Sequence, residues 1–124
     1  MEWILISMSE NWKIIYFSLK DNPSPVFEFI ESLPDKAIGK LTYTFNLLME
    51  FGPQIKSEHF KKVTGTPLWE LRILGENNIR IFYIPVENRA ILFLHGFIKK
   101  KQKTPHKEIV SALKRWGEYQ VKIK

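Results

Sequence analysis

"LWELRILGENNIRIFYIPVENRAILFLHGF" runs from Leu68 to Phe97. Three apolar runs, Leu68–Leu74, Ile79–Ile84 and Ala90–Phe97, are separated by the short turn-rich connectors GENN and PVEN. β-Branched and aromatic residues at this density read as strands. Connectors this short join antiparallel neighbours, so the stretch predicts a three-stranded meander. In the first run Trp69, Leu71 and Ile73 point to one face of the sheet, and Leu68, Glu70, Arg72 and Leu74 to the other. Arg80 interrupts the second run. In the third, simple alternation places His95 on the same face as Phe93. Several runs are apolar on both faces, which asks for helices on each side of the sheet.

The flanking segments supply those helices. Trp12–Leu19 (WKIIYFSL) reads as a strand, ended by DNPSP at Asp21–Pro25. Val26, Phe29, Ile30 and Leu33 then recur at helical spacing, and Pro34 closes this first helix. Asp35 is the expected N-cap of a longer helix with the apolar stripe Ile38, Leu41, Phe45 and Leu48, stopped by Gly52-Pro53. Lys36 and Lys40 lie on its polar side. The two helices make an αα-hairpin. Ser57–Pro67 is polar and reads as a turn region. Thr104 and Pro105 open a last helix, with Ile109, Leu113, Trp116 and Gln120 on one face and Lys107, Lys114 and Arg115 off it. The expected order is β-α-α-β-β-β-α. This is a single α+β domain over residues 1–124, an antiparallel sheet carrying an N-terminal αα-hairpin and a C-terminal helix. Residues 1–11 read as a loosely attached extension, and both Met1 and Met8 are compatible starts.

Composition narrows the chemistry. The chain has 124 residues and is 44% hydrophobic, enough for one domain with a real core. It has no cysteine, which excludes disulfides, thiolate metal sites and a cysteine nucleophile. His59, His95 and His106 show no metal-ligand spacing, so neither a metal nor a cofactor is expected. The N-terminal apolar run is shorter than a signal-peptide core and no stretch is long enough for a bilayer, so the reading is cytoplasmic. The net charge of +6 sits at one end: residues 99–124 carry nine of the 19 Lys and Arg but only Glu108 and Glu118. Such asymmetry fits either a polyanionic partner or a solvated face.

Arg72, Arg80 and His95 on adjacent strands, followed by Lys99, Lys100, Lys101 and Lys103, are the residues that ask for a function. Each has a structural alternative: an ion pair with Glu70, a strand-edge charge, a hydrogen-bonded histidine. Together they can converge on one groove. A guanidinium holds two phosphate oxygens at once and stays charged at any working pH. Tyr83 is a candidate for stacking on an unpaired base. Trp69, Leu71, Ile73 and Trp116 are expected to be structural.

LWELR, IRIFY and ILFLHGFIKKKQKTP, with the closing amphipathic helix, resemble the RelE/ParE toxin superfamily. The nearest branch is the HigB-like, phage-derived group, with its "PLWELR", "R-hydrophobic-hydrophobic-Y" and "LLHGFxKKTxKTP". The resemblance spans about residues 12–119 and is most specific from 67 to 105. It implies a RelE-like fold. It also implies a type II toxin that inhibits translation by cleaving messenger RNA without a metal, usually on the ribosome. A partner antitoxin, often a helix-turn-helix protein, holds such toxins inactive, and here would cover the basic end. Carried over by position, Arg72, Arg80, His95, Lys99 and Lys100 take catalytic roles, Arg80 at the scissile phosphate. Lys61, Lys62, Tyr83, Lys101 and Lys103 take RNA-binding roles. Lys101 stands where the branch often has Thr, which points to general backbone binding. The alternatives are a ParE-like gyrase inhibitor and a non-catalytic binding module.

Overall fold

The computed structural model describes residues 11–53, 55–73 and 78–122. The expected extension, apart from Asn11, lies outside them. Five strands and three helices follow in the order β1 (Lys13–Tyr16), α1 (Pro25–Glu31), α2 (Asp35–Phe51), β2 (Phe60–Lys62), β3 (Trp69–Ile73), β4 (Ile79–Val86), β5 (Ala90–Ile98) and α3 (His106–Lys122). One sheet holds all five strands in the order β1-β5-β4-β3-β2. The predicted meander is present as β3-β4-β5, antiparallel throughout.

Two features of the sheet differ from the sequence reading. β1 pairs with β5 in parallel, Lys13 opposite Ala90 through Tyr16 opposite Phe93, so the sheet is mixed. The polar stretch read as a turn contains β2, which pairs with β3 from Phe60 opposite Leu71 to Lys62 opposite Trp69. β2 is three residues long and two of them are exposed lysines, so it carries no hydrophobic alternation to find. Short length and lysines are also how sheet edges avoid pairing with other chains.

Helix caps show why the hairpin forms. Ser24 caps α1, its hydroxyl accepting from the Phe27 N–H at 3.3 Å, and Pro25 follows where a missing N–H costs nothing. α2 is preceded by Pro34 rather than capped by Asp35, which makes no side-chain cap bond. Asp35 instead stands in the first turn, where its charge favours the helix dipole. Gly52 ends α2 at φ +89°, and a Cβ there would press on the Trp12 indole.

The helices divide the sheet into two cores. The αα-hairpin covers one face, burying Leu41 and Leu48 of α2 and Val26 and Ile30 of α1 against Leu71, Ile73, Ile79, Ile81, Tyr83, Ile91 and Phe93. On the other face Ala112, Ile109, Leu113, Trp116 and Tyr119 of α3 pack on Phe82, Ile84, Leu92, Leu94 and Phe97. Tyr119 takes the place expected for Gln120, which is exposed. Each fully buried Leu, Ile or Phe contributes about 1.5–3 kcal/mol. Gly96 marks the closest helix approach, since a Cβ there would collide with the Phe29 ring of α1.

Candidate functional site

A bulge in β5 builds the polar end of the α3 face. Phe82 pairs with His95 but Tyr83 pairs with Phe93, leaving Leu94 as the extra residue. The alternation therefore slips by one. Phe93 belongs to the hairpin core, whereas His95 lies opposite Phe82 on the α3 face. The expectation that His95 shares a face with Phe93 is corrected by this one residue.

Two rows of side chains cross that face. Lys61, Glu70, Phe82 and His95 are register partners on β2, β3, β4 and β5. Arg72, Arg80 and Phe97 form the next row. Like charges directly opposite in a sheet repel, so the Arg72–Arg80 pair needs a counter-charge. Glu70 supplies it. Its Oε1 accepts from Arg72 Nε at 3.1 Å and lies 3.8 Å from Arg80 Nε.

Arg80 is the least ordinary of these groups. The residue is 7% exposed, and its Nη1 donates to the Ile79 carbonyl at 3.1 Å. Its Nε is buried and has no hydrogen-bond partner. Burial lowers its pKa, the Glu70 charge opposes that shift and Arg72 adds to it. A guanidinium stays protonated even so. A buried N–H left without an acceptor costs about 1–3 kcal/mol, and here the Glu70 carboxylate at 3.8 Å offsets part of that cost. Arg80, Asn78 and the backbone turn Lys99–Gln102 line a recess of about 320 Å³. The Lys99 N–H donates to the Asn78 carbonyl at 2.9 Å, which holds the lysine turn beside the start of β4.

His95 is engaged on both ring nitrogens. Nε2 lies 2.8 Å from Glu108 Oε1, and Nδ1 lies 3.0 Å from Arg115 Nη1. Arg115 can only donate, so Nδ1 is the acceptor and Nε2 carries the proton given to Glu108. Arg115 also donates to the Leu94 carbonyl at 2.8 Å, next to the bulge. Burial pushes the His95 pKa down. The hydrogen bond to Glu108 opposes this, as does the Glu108 charge, and Arg115 reinforces it. The imidazole ring stacks on Phe97 with centroids 5.8 Å apart.

The sequence-predicted residues separate into three groups. Arg72, Arg80, His95 and Lys61 share one face, and Lys99, Lys100 and Lys101 line the recess beside Arg80. Lys62 pairs with Trp69, on the opposite face, and its ammonium bonds the Thr66 carbonyl. Lys103 is exposed in the turn before α3. Tyr83 is corrected: it is fully buried, its hydroxyl lies 3.5 Å from the Pro53 carbonyl and its ring lies beside Trp69 and Phe93, so it cannot stack on a base. Sequence reasoning missed Glu108 and treated Arg115 as lying off the packed face. Their spacing of seven, two helical turns, is the signal that they share a side of α3.

Among the described residues, no group of three or more His, Asp or Glu is placed to hold a metal ion. No described helix is long and apolar enough to cross a membrane. A sequence profile of the family described as "Phage derived protein Gp49-like (DUF891)" matches residues 28–117. A search of curated proteins finds no match.

Proposed function

The chain belongs to the phage-derived Gp49-like family, related to RelE-like toxin–antitoxin proteins, and from that premise we propose that it is a type II toxin acting as a metal-free endoribonuclease on messenger RNA. The finer, HigB-like assignment belongs to the same proposal. So do cytoplasmic action, translation inhibition, action on the ribosome and neutralisation by an antitoxin of the helix-turn-helix class. The observation that carries the reading is Arg80: a nearly buried guanidinium held beside Arg72 and Glu70, lining a recess with Lys99, Lys100 and Lys101.

In the proposed reaction the 2′-oxygen forms a bond to its own phosphorus as the P–O5′ bond breaks. The 2′-hydroxyl loses its proton and the departing 5′-oxygen gains one. The products are a 2′,3′-cyclic phosphate and a 5′-hydroxyl. Arg80, braced by Arg72 and Glu70, holds the phosphate as its charge builds, which is where a fixed donor acts most strongly. The proton steps fall to Lys99 and Lys100, which share the recess. His95 is better placed as a positioning residue than as acid or base, because Arg115 and Glu108 already occupy its nitrogens. Lys61, Lys101 and Lys103 bind RNA backbone by charge.

The test is single-turnover cleavage of a ribosome-bound message, with product ends identified. Site-specific cuts ending in cyclic phosphate support the reading. Growth arrest with intact messages and a DNA-damage response would instead establish the gyrase-inhibitor alternative.

A further inference from the structure

A second recess lies on the other face of the sheet, at the same end as the arginine pair. It has a volume of about 450 Å³ and is lined by Lys36, Gly39, Lys40 and Tyr43 of α2, with His59 and Ile73 opposite. The four helical residues are spaced i, i+3, i+4 and i+7, so they form one stripe along α2. Tyr43 is 63% exposed, and its ring has no aromatic neighbour among the described residues. A Cβ at Gly39 would meet nothing within 4 Å. Glycine in an exposed helix interior is less stable than alanine, so nothing in the packing explains it. What Gly39 does is leave the helix backbone bare beside the Tyr43 ring. Asp35 is the one carboxylate on the rim, against the two lysines.

His59 joins this recess to the arginine site. The Arg72 N–H donates to the His59 carbonyl at 2.7 Å, and the His59 ring Nδ1 lies 3.3 Å from the Arg72 carbonyl. With a carbonyl as its partner, that nitrogen carries the proton. Ile73 faces the recess while its neighbour Arg72 faces the α3 side. β2 pairs only with Trp69–Leu71, so the edge of β3 beside Arg72 and Ile73 is covered by His59 alone among the described residues.

We infer that this recess is a second RNA subsite, in which an unpaired base stacks on Tyr43 over Gly39 while Lys36 and Lys40 hold the flanking phosphates. The strand passes round the edge of β3 from the arginine site. The inference rests on the proposed RNA-cleaving function. An aromatic face with cations beside it on one stripe is the arrangement that binds single strands without reading sequence. A protein partner with acidic side chains would use the lysines but would not need the bare backbone at Gly39.

The experiment uses the full-length protein and a single-stranded oligoadenylate of about 12 nucleotides, made non-cleavable by 2′-deoxy substitution. Tyr43→Ala should weaken binding about tenfold, and Tyr43→Phe should stay close to wild type. Lys36→Ala should reduce the slope of log affinity against log salt by about one. With cleavable RNA, Tyr43→Ala should raise the concentration needed for half-saturation and leave the saturated rate unchanged, whereas Arg80→Ala should lower that rate. Binding and half-saturation unchanged in Tyr43→Ala, with Arg80→Ala impaired, would overturn the subsite and leave the proposed function standing. No oligoadenylate binding by the wild type would overturn the subsite, and the proposed function would be overturned only by failure to cleave the ribosome-bound message.

Discussion

The two faces of the sheet are made from the same strands and differ in how far apolar packing extends along them. On the hairpin face the apolar residues continue along the whole of β3 and β4, with Leu71, Ile73, Ile79, Ile81 and Tyr83 all buried. On the α3 face packing runs through Ile84, Leu92, Leu94 and Phe82, then gives way to Glu70, Arg72, Arg80 and His95. A sheet buried on both sides by helices would be more stable without those charges, because ion pairs removed from water recover only part of their desolvation cost. One face therefore holds the molecule together, and the other gives up stability at one end to keep cations oriented.

The comparison breaks first on the apolar side. Phe93 is fully buried with edge-on contacts to Phe45 at 5.0 Å and Tyr16 at 5.7 Å. Phe93→Ala should cost about 3–5 kcal/mol of stability. Chemical denaturation measures this, and an unchanged midpoint would mean that the hairpin face is not the stabilising one.

On the charged side the largest effect is on rate. Arg80→Ala should slow single-turnover cleavage about a hundred- to a thousand-fold, or ~2.7–4 kcal/mol. Circular dichroism should show the fold intact, since Glu70 keeps its bond to Arg72. A wild-type rate in this variant would make Arg80 a structural charge and end the division of labour between the faces.

A smaller effect tests how α3 is held. The His95 pKa is depressed in the folded chain, so the unfolded chain takes up a proton first as pH falls. The His95 contribution is thus complete above the unfolded value of about 6.5 and is lost as pH drops through that value toward the folded one. Protonation at Nδ1 also displaces the Arg115 donor. Melting temperatures across this window should decline with acid in the wild type, and His95→Gln should flatten the decline. Equal slopes in the two proteins would remove His95 from the contacts that hold α3.

The smallest change is at the rim. Lys101 is exposed and is one of the residues lining the Arg80 recess. Lys101→Ala should weaken RNA binding modestly and lower the salt slope by about one, with the saturated rate unchanged. A lost saturated rate would place Lys101 among the reacting groups instead.

Much of this division was readable from strand parity. Alternation in LWELRIL placed Glu70 and Arg72 opposite Leu71 and Ile73, and the structure agrees. Alternation failed at His95 because a bulge shifts the phase by one residue and ILFLHGF is apolar on both sides of the shift. Tyr83 was misread because an apolar run leaves the orientation of its aromatic residues open, and its ring belongs to the hairpin core. Glu108 and Arg115 were missed because their meaning lies in a contact between α3 and β5, which helical periodicity alone does not reveal.

The parallel pairing of β1 with β5 has a consequence for how the chain acquires its shape. β1 comes from near the start of the sequence, and among the described residues its only strand neighbour is β5, which is followed directly by the basic turn and the last helix. β5 also stands between β1 and β4, so β1 has no strand to join until β5 is available. During synthesis the first half can form only the local αα-hairpin, because long-range pairing must wait for a loop of most of the chain to close. The bulge and the α3 contacts depend on β5, whereas the arginine pair needs only the β3–β4 hairpin. A chain cut short before β5 would therefore keep the arginine pair but lack His95 and the lysine turn, and a nascent chain would gain the full site only near the end of its own synthesis.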